Sequence, residues 1–241
     1  MHIEVKLISY TKESELIAKI AAAICYSDKQ SFEELQDLAL TKPENYLKKI
    51  IDSGHLSILE HNSFVFYVSG ISRVTSHQLV RKRIASYSQQ SQRYVNATNF
   101  NFVTPESIIK SKYHDKYKQL IDEMFQFYNQ LVGEGIPKED ARYILPNATT
   151  TQLIVTMNAH ALIEFFASRC CLRAQWEIRE LANRMLAEVK KVAPTLFKHA
   201  GAFCDFYGYC REVEKSCGKA PTLNELLKNR KNKKDTSKTI K

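Results

Sequence analysis

The sequence lacks most features that mark membrane-bound or secreted proteins. Its apolar runs fall short of the roughly 18 residues that are needed to cross a bilayer. The segment from Met1 to Lys6 also lacks the basic-then-apolar plan of a secretory signal peptide. We therefore expect a cytoplasmic protein.

The six cysteines lack the short paired spacing that is typical of structural zinc sites. Without a secretion signal, they are expected to be thiols and not disulfides. Cys204, Cys210 and Cys217, with His199 nearby, are a group that could hold a metal, but the long intervals between them disfavour this. The segment from His55 to His61 also lacks the spacing of a zincin helix. We expect no metal site.

Acidic residues are absent from His61 to Pro105, a stretch that is rich in arginine. Clustered guanidinium groups repel one another, and a buried one needs an anion as partner. A phosphate can be that anion, because guanidinium forks bind phosphate through two parallel hydrogen bonds. This favours an anion-binding site, and the alternative is a solvated basic surface that distant carboxylates neutralise. The basic residues of the stretch are Arg73, Arg81, Lys82, Arg83 and Arg93.

The net charge of +9 is concentrated at the C-terminal end. Seven basic residues and one acid lie between Lys228 and Lys241, so the rest of the chain is only weakly basic. We expect residues 1–220 to form the folded domain and residues 221–241 to be a disordered basic tail. A nucleic-acid-binding protein that uses this tail and the segment from Arg81 to Arg93 is the alternative function.

Hydrophobic periodicity predicts an α+β fold with long helices and few strands. Alternating or β-branched segments predict strands over residues 3–10, 64–71 and 149–156. Ser31 and Glu34 have the spacing of a capping box at the start of a short helix, and Pro43 opens another. Amphipathic spacing predicts further helices over residues 13–25, 72–84, 114–132, 159–170 and 174–192.

Several segments, taken in order, resemble the flavin-dependent thymidylate synthases. The family signature is Arg-His-Arg, two residues, Ser, four residues, Ser, one residue and Arg. The segment from His55 to His61 is similar to the flavin loop of the family, and the resemblance covers roughly residues 1–200. The signature stands here as Arg81-Lys82-Arg83, Ser86, Ser91 and Arg93, and the downstream matches are Arg142 to Pro146, Asn158-Ala159 and Arg169 to Arg179.

The resemblance implies an α+β fold with a central, mostly antiparallel sheet flanked by long helices. It also implies a homotetramer whose active sites form where subunits meet. The reaction would be the reductive methylation of dUMP to dTMP, with methylenetetrahydrofolate as carbon donor, FAD as hydride carrier and NADPH as reductant. The Pro-Cys-His tripeptide of the unrelated classical synthase does not occur in the sequence, which agrees with a reaction that needs no cysteine nucleophile.

The resemblance also implies roles for individual residues. Arg169 aligns with a catalytic arginine at the uracil ring, and Ser91 is assigned to positioning because no base adjoins it in sequence. The dUMP contacts would be Gln78, Arg81, Gln89, Gln90, Ser91, Gln92, Arg93, Arg142 and Arg169. The FAD contacts would be Ser57, Glu60, Arg81, Lys82, Arg83, Gln89, Asn158, His160 and Glu164.

Four positions depart from the family pattern. Lys82 replaces the histidine of the signature, which keeps the positive charge but removes a ring that can stack on flavin. His160 stands where the family often has arginine, and Glu164 where asparagine is common. Gln89 replaces an acidic residue of some members. These departures bear on the flavin contacts more than on the reaction.

Overall fold

The computed structural model describes residues 3–43, 45–96 and 101–228. These residues form an α+β fold with a four-stranded antiparallel sheet in the order β1-β2-β4-β3. The predicted fold class and the predicted antiparallel sheet are confirmed. The strands are β1 (Glu4–Tyr10), β2 (Ser63–Ser72), β3 (Ser86–Gln89) and β4 (Thr150–Asn158).

Most of the predicted helices are confirmed, and the short helices α5, α7 and α10 were not predicted. The capping box at Ser31 and Glu34 is present at the start of α2, and the long predicted helix over residues 114–132 is α6. The α-helices are α1 (Ser14–Tyr26), α2 (Phe32–Thr41), α3 (Asn45–Asp52), α4 (Arg73–Leu79), α5 (Glu106–Ile109), α6 (His114–Gly133), α7 (Lys138–Ala141), α8 (Ala159–Arg169), α9 (Trp176–Val192) and α10 (Phe203–Tyr207). Short 3-10 helices span Ser57–Leu59 and Arg142–Ile144.

The chain divides into two compact units, each made from two segments of sequence. The first unit comprises Met1–Ser9 and Val65–Thr156, and the second comprises Tyr10–Phe64 and Met157–Lys241. In the first unit, alternate residues of two strands point into the core, as the period of two in a strand requires. These buried side chains are Phe66 and Val68 of β2 and Leu153 and Val155 of β4.

The core of the second unit contains packed aromatic side chains, some of which come from its helices. The aromatic rings of Phe64 and Phe166 pack edge-on against Phe197, with ring centroids 5.3 and 6.2 Å apart. Helix α9 begins at Trp176 because the Gln175 side chain accepts hydrogen bonds from the first backbone N–H groups of the helix. The two predicted helices over residues 159–170 and 174–192 are thus confirmed as α8 and α9.

One predicted helix was too long, and one strand was not predicted. The helix expected over residues 72–84 is α4, which ends at Leu79. Beyond it, β3 pairs antiparallel with β4, with Ser86 opposite Thr156 and Gln89 opposite Leu153. The sequence of β3 is polar and has no β-branched residue. Its extended conformation therefore depends on pairing with β4 and not on its own strand propensity.

The structure describes the first eight residues of the predicted tail over residues 221–241. Residues 223–228 are helical, and Thr222 with Glu225 forms a reciprocal cap at their start, with N···O distances of 2.7 and 3.3 Å. Cys210 also pairs with Thr222 in a β-bridge. The expectation of disorder therefore does not hold for residues 221–228, and residues 229–241 lie outside the described residues.

In the described part of the chain, no helix combines the length and apolarity that a membrane span requires. The six cysteines are free thiols. Among residues 3–43, 45–96 and 101–228, no three His, Cys, Asp or Glu side chains are grouped in a way that could hold a metal ion.

The cysteines differ in burial, which predicts an order of chemical modification. Burial, and next the nearby Asp205, raise the pKa of the Cys170 thiol to about 12, so almost no thiolate forms there near pH 8. Cys25 and Cys217 are exposed. We expect iodoacetamide at about pH 8 to label these two first and Cys170 only after unfolding, as measured by peptide mass spectrometry. Labelling of Cys170 in the folded protein as fast as Cys217 would contradict this, and labelling in denaturant is the control.

Candidate functional site

Apart from Arg169, the predicted site residues fall into two groups, one in each compact unit, and Arg73 joins the first of them. The nucleotide cluster of the first unit consists of Arg73, Gln78, Arg81 to Arg83, Gln89 to Arg93 and Arg142. The flavin-loop cluster of the second unit consists of Ser57, Glu60, Asn158, His160 and Glu164.

Strand β3 leads into the residues Gln89 to Arg93, which form the polar run of the nucleotide cluster. The Gln89 side-chain Nε2 donates to the Thr151 hydroxyl at 3.2 Å, and the Gln90 backbone N–H extends the ladder to the carbonyl of Gln152 at 3.0 Å. The chain then turns, and the Ser91 hydroxyl accepts a hydrogen bond from the Arg93 backbone N–H at 3.1 Å. Ser91 thus holds the turn, which agrees with a positioning role.

Tyr87 fixes the turn that carries the Arg-Lys-Arg motif. Its hydroxyl lies 3.0 Å from the Leu79 carbonyl and 2.8 Å from the Lys82 carbonyl. Burial raises the pKa of Tyr87 to about 12, so the phenol remains a hydrogen-bond donor at neutral pH. Arg81 and Arg83 are exposed in this turn. Their side chains have no carboxylate partner among the described residues.

Arg93 obtains its counter-charge from outside the acid-free stretch. Its Nε and Nη2 atoms lie 2.8 and 2.7 Å from Oε2 of Glu139 in α7. The hydrogen bond and the charge of Glu139 raise the pKa of the Arg93 guanidinium. Both side chains are about half exposed, at 50% and 48%. In the described structure, Arg93 is thus paired with a carboxylate that lies far away in the sequence.

A small hydrophobic core next to Arg142 holds the short 3-10 helix that begins at this residue. Tyr128 of α6 and Ala141 of α7 are buried against each other. Ile144 and Leu145, on either side of the end of the 3-10 helix that begins at Arg142, pack on them. The Arg142 Nε atom donates to the backbone carbonyl of Glu139 at 3.1 Å. Arg142 therefore approaches the same short helix as Arg93, but through a main-chain contact that does not neutralise its charge.

Arg73 belongs to the nucleotide cluster, although the resemblance to the family assigned no role to this residue. Its Nη2 atom donates to the Gln90 carbonyl at 3.1 Å, so it contacts the polar run directly. Burial, and next the positive charge of Arg142, lower the pKa of the Arg73 guanidinium. The only signal in the sequence was its position within the acid-free stretch.

In the second unit, His160 lies between two carboxylates. Its Nδ1 atom is 2.8 Å from Oε1 of Glu60, and its Nε2 atom is 3.7 Å from Oε1 of Glu164. Glu60 follows the 3-10 helix that begins at the exposed Ser57. His160 and Glu164 lie one turn apart on α8. The two departures from the family pattern on this helix therefore contact each other.

Asn158 ends β4 and caps α8, with its Oδ1 accepting the Ala161 N–H at 2.8 Å. The next residue, Ala159, donates its backbone N–H to the carbonyl of Asn62 at 2.9 Å. Asn62 is fully buried, and neither polar atom of its side chain has a hydrogen-bond partner among the described residues. An unpaired buried amide is costly, and no pattern in the sequence indicated it.

Arg169 is half-buried in the last turn of α8. A cation is favoured there by the partial negative charge at the helix C-terminus.

Comparison with known proteins covers both clusters. The family described as thymidylate synthase complementing protein matches residues 6–195. A flavin-dependent thymidylate synthase of Geobacter sulfurreducens is 46% identical over 231 residues, which cover 93% of this chain and 98% of the relative. Those of Clostridium tetani and Pyrococcus furiosus are each 43% identical, covering 94% and 87% of this chain and 97% and 90% of the relatives. The chain belongs to the flavin-dependent thymidylate synthase family.

Family membership confirms the resemblance that the Arg81 to Arg93 motif indicated. The matched region of the flavin-dependent thymidylate synthase family contains every residue of both clusters. The roles of the individual residues remain predictions that rest on the motif and on the geometry described above.

The ion pair between Arg93 and Glu139 predicts competition with an anionic ligand. If Arg93 binds the phosphate of dUMP, Glu139→Gln should strengthen dUMP binding by about two- to fivefold, because an exposed ion pair is weak and its loss frees the guanidinium. Arg142 should be unaffected, since it contacts only the backbone carbonyl at position 139.

Titration calorimetry with dUMP at low and high salt measures this effect. Asp140→Asn is the matched control, because it removes one charge from the adjacent exposed position. Weaker dUMP binding in Glu139→Gln than in Asp140→Asn would show that Glu139 supports the ligand and does not compete with it.

Proposed function

We propose that the protein catalyses the reductive methylation of dUMP to dTMP. Methylenetetrahydrofolate donates the carbon, and FAD, reduced by NADPH, carries the hydride. The observation that carries this proposal is the nucleotide cluster, where several guanidinium groups have no carboxylate partner among the described residues and lie in the same unit as a run of hydroxyl and amide side chains. This combination suits a phosphate and a pyrimidine ring, and it occurs in a chain that matches the family across both clusters.

The dUMP phosphate is bound by arginines of the nucleotide cluster. Arg142 suits this role because it carries a charge that its contact with a main-chain carbonyl leaves in place. The amide side chains of the polar run suit the pyrimidine and sugar, since they offer both donors and acceptors. The dUMP contacts we propose are Gln78, Arg81, Gln89, Gln90, Ser91, Gln92, Arg93, Arg142 and Arg169.

The residues predicted to hold FAD have chemistry that fits it. Arg81 and Arg83 are exposed cations that suit the diphosphate group, while the Ser57 hydroxyl and the Glu60 carboxylate are exposed in the flavin loop. The unpaired amide of Asn62, next to that loop, is a further sign of a functional site. When bound, FAD supplies the hydride. The FAD contacts we propose are Ser57, Glu60, Arg81, Lys82, Arg83, Gln89, Asn158, His160 and Glu164.

Arg169 acts as the catalytic residue. Transfer of a carbon to C5 requires the uracil ring to carry negative charge, and a guanidinium at the ring stabilises that charge as it develops. The half-buried position of Arg169 strengthens such an interaction, because solvent screens a partly buried charge less.

The active enzyme is a cytoplasmic homotetramer with active sites assembled from more than one subunit. Support comes from large apolar and aromatic side chains that the single chain leaves exposed next to site residues. Ile84, Tyr94 and Tyr143 are 64%, 74% and 85% exposed, and burial of such side chains between subunits is favourable. The nucleic-acid-binding alternative is not favoured, because the relatives that match most of the chain are named flavin-dependent thymidylate synthases.

The proposed activity is tested with the full-length protein supplied with FAD. We expect a bound flavin spectrum, NADPH oxidation whose rate changes with dUMP, and dTMP formation that requires methylenetetrahydrofolate. Absence of FAD binding at micromolar concentration would rule the proposal out. Binding of RNA or DNA with a steep salt dependence, without dTMP formation, would support the alternative.

Arg93 and Arg169 should differ in how they serve the nucleotide. Arg93→Ala should weaken dUMP binding by roughly tenfold, as expected for loss of a charge-assisted hydrogen bond, while turnover at saturation is largely retained. Arg169→Ala should lower turnover beyond any effect on binding, because its interaction develops in the transition state. Calorimetry with dUMP and single-turnover flavin oxidation separate the two effects. Normal turnover of Arg169→Ala at saturating dUMP would exclude a catalytic role.

A further inference from the structure

Arg73 carries a charge that has no carboxylate partner among the described residues. The guanidinium is half-buried beside Arg142, so burial and a like charge both act against its ionised form. An arginine nevertheless stays protonated in proteins. Within residues 3–43, 45–96 and 101–228, no carboxylate pairs with it. The positive charge of Arg142 therefore acts on Arg73, and no carboxylate among the described residues offsets it.

The hydrogen bonds of Arg73 are incomplete as well. Its Nη2 atom donates to the Gln90 carbonyl at 3.1 Å, but its Nε atom is buried and has no acceptor. The backbone N–H of Arg73 is fixed on the Thr149 carbonyl at 3.0 Å, so the residue is anchored at its main chain. A buried cationic group with unused donors costs stability, and such a cost is typical of a site that is completed by a ligand.

Arg73 and Arg93 differ in a way that bears on ligand binding. Arg93 is half exposed and already paired with Glu139. The charge of Arg73 is partly withdrawn from solvent and unpaired, so salt and water screen its field less effectively. An anion near Arg142 would therefore gain more from Arg73 than from an exposed arginine at the same distance.

We propose that Arg73 is a specificity-determining residue for the phosphate of the nucleotide. Together with Arg142 it provides the positive field that a phosphomonoester neutralises, and its bond to the Gln90 carbonyl keeps the polar run in place beside that phosphate. This inference rests on the proposed function, in which the nucleotide cluster binds dUMP. It predicts that Arg73 discriminates dUMP from deoxyuridine, the same nucleoside without phosphate.

The test compares the FAD-loaded full-length protein with its Arg73→Met and Arg73→Lys variants. Calorimetry measures the binding of dUMP, deoxyuridine and inorganic phosphate at about 0.1 M and 0.5 M salt. Arg73→Met should weaken dUMP binding at least about tenfold at low salt and change deoxyuridine binding less than about twofold. Arg73→Lys should recover most of the dUMP affinity, because it keeps the charge.

Lys110→Met is the control for removal of one charge from the same unit, since Lys110 is exposed and paired with Glu106. It should change none of the three affinities. Equal losses for dUMP and deoxyuridine in Arg73→Met would overturn the proposal, because they would assign Arg73 only to holding the turn. An unchanged dUMP affinity would also overturn it.

The outcomes separate this inference from the proposed function. If Arg73→Met does not fold, Arg73→Lys still decides, because dUMP affinity that stays tenfold low despite the retained charge contradicts a field effect. If the unaltered protein binds dUMP no better than deoxyuridine, the proposed function fails. In that case, the binding of inorganic phosphate to the unaltered protein and to Arg73→Met tests the role of Arg73 independently of the nucleotide. Loss of that binding in Arg73→Met supports a phosphate site, and retention overturns it.

Discussion

Positive charge without local counter-charge is the constraint on which the first unit depends. The stretch from His61 to Pro105 must place several cations and contains no acid. Arg93 is neutralised by Glu139, which comes from a helix later in the sequence. Arg81 and Arg83 are exposed in a turn, while Arg73 and Arg142 are half-buried and have no carboxylate partner among the described residues. The arginines therefore differ in how their charge is balanced, and within the described residues Arg73 and Arg142 are the half-buried pair that lacks a carboxylate partner.

The sequence predicted the parts of the fold that have strong periodicity. Helices α6, α8 and α9 and strand β4 each carry an apolar stripe or alternation long enough to identify the element. Strand β3 has no such pattern, since it forms because β4 offers an open edge of hydrogen-bonding groups. The same pairing ends α4 early, because the chain after Leu79 must turn to reach that edge. Local propensity cannot reveal an element whose stability comes from a distant partner.

The candidate site was also predictable only in part. The motif identified which residues belong to it, but their contacts depend on groups far away in the sequence. Glu139 lies 46 positions from Arg93, so their ion pair could not be inferred from spacing. The substitutions at His160 and Glu164 looked like two independent departures from the family. The structure shows instead that the shorter imidazole is held by a carboxylate one turn further along α8 and by Glu60.

The change from strand to helix at Asn158 takes place without a connecting loop. This residue is both the last of β4 and the cap of α8, and α8 carries His160, Glu164 and Arg169. One inserted or deleted residue here would either turn the following helix by about 100° about its axis or reverse the face of the preceding strand. Evolution can therefore substitute residues in this segment but cannot alter its length. Homologues should vary in length elsewhere, in loops between elements.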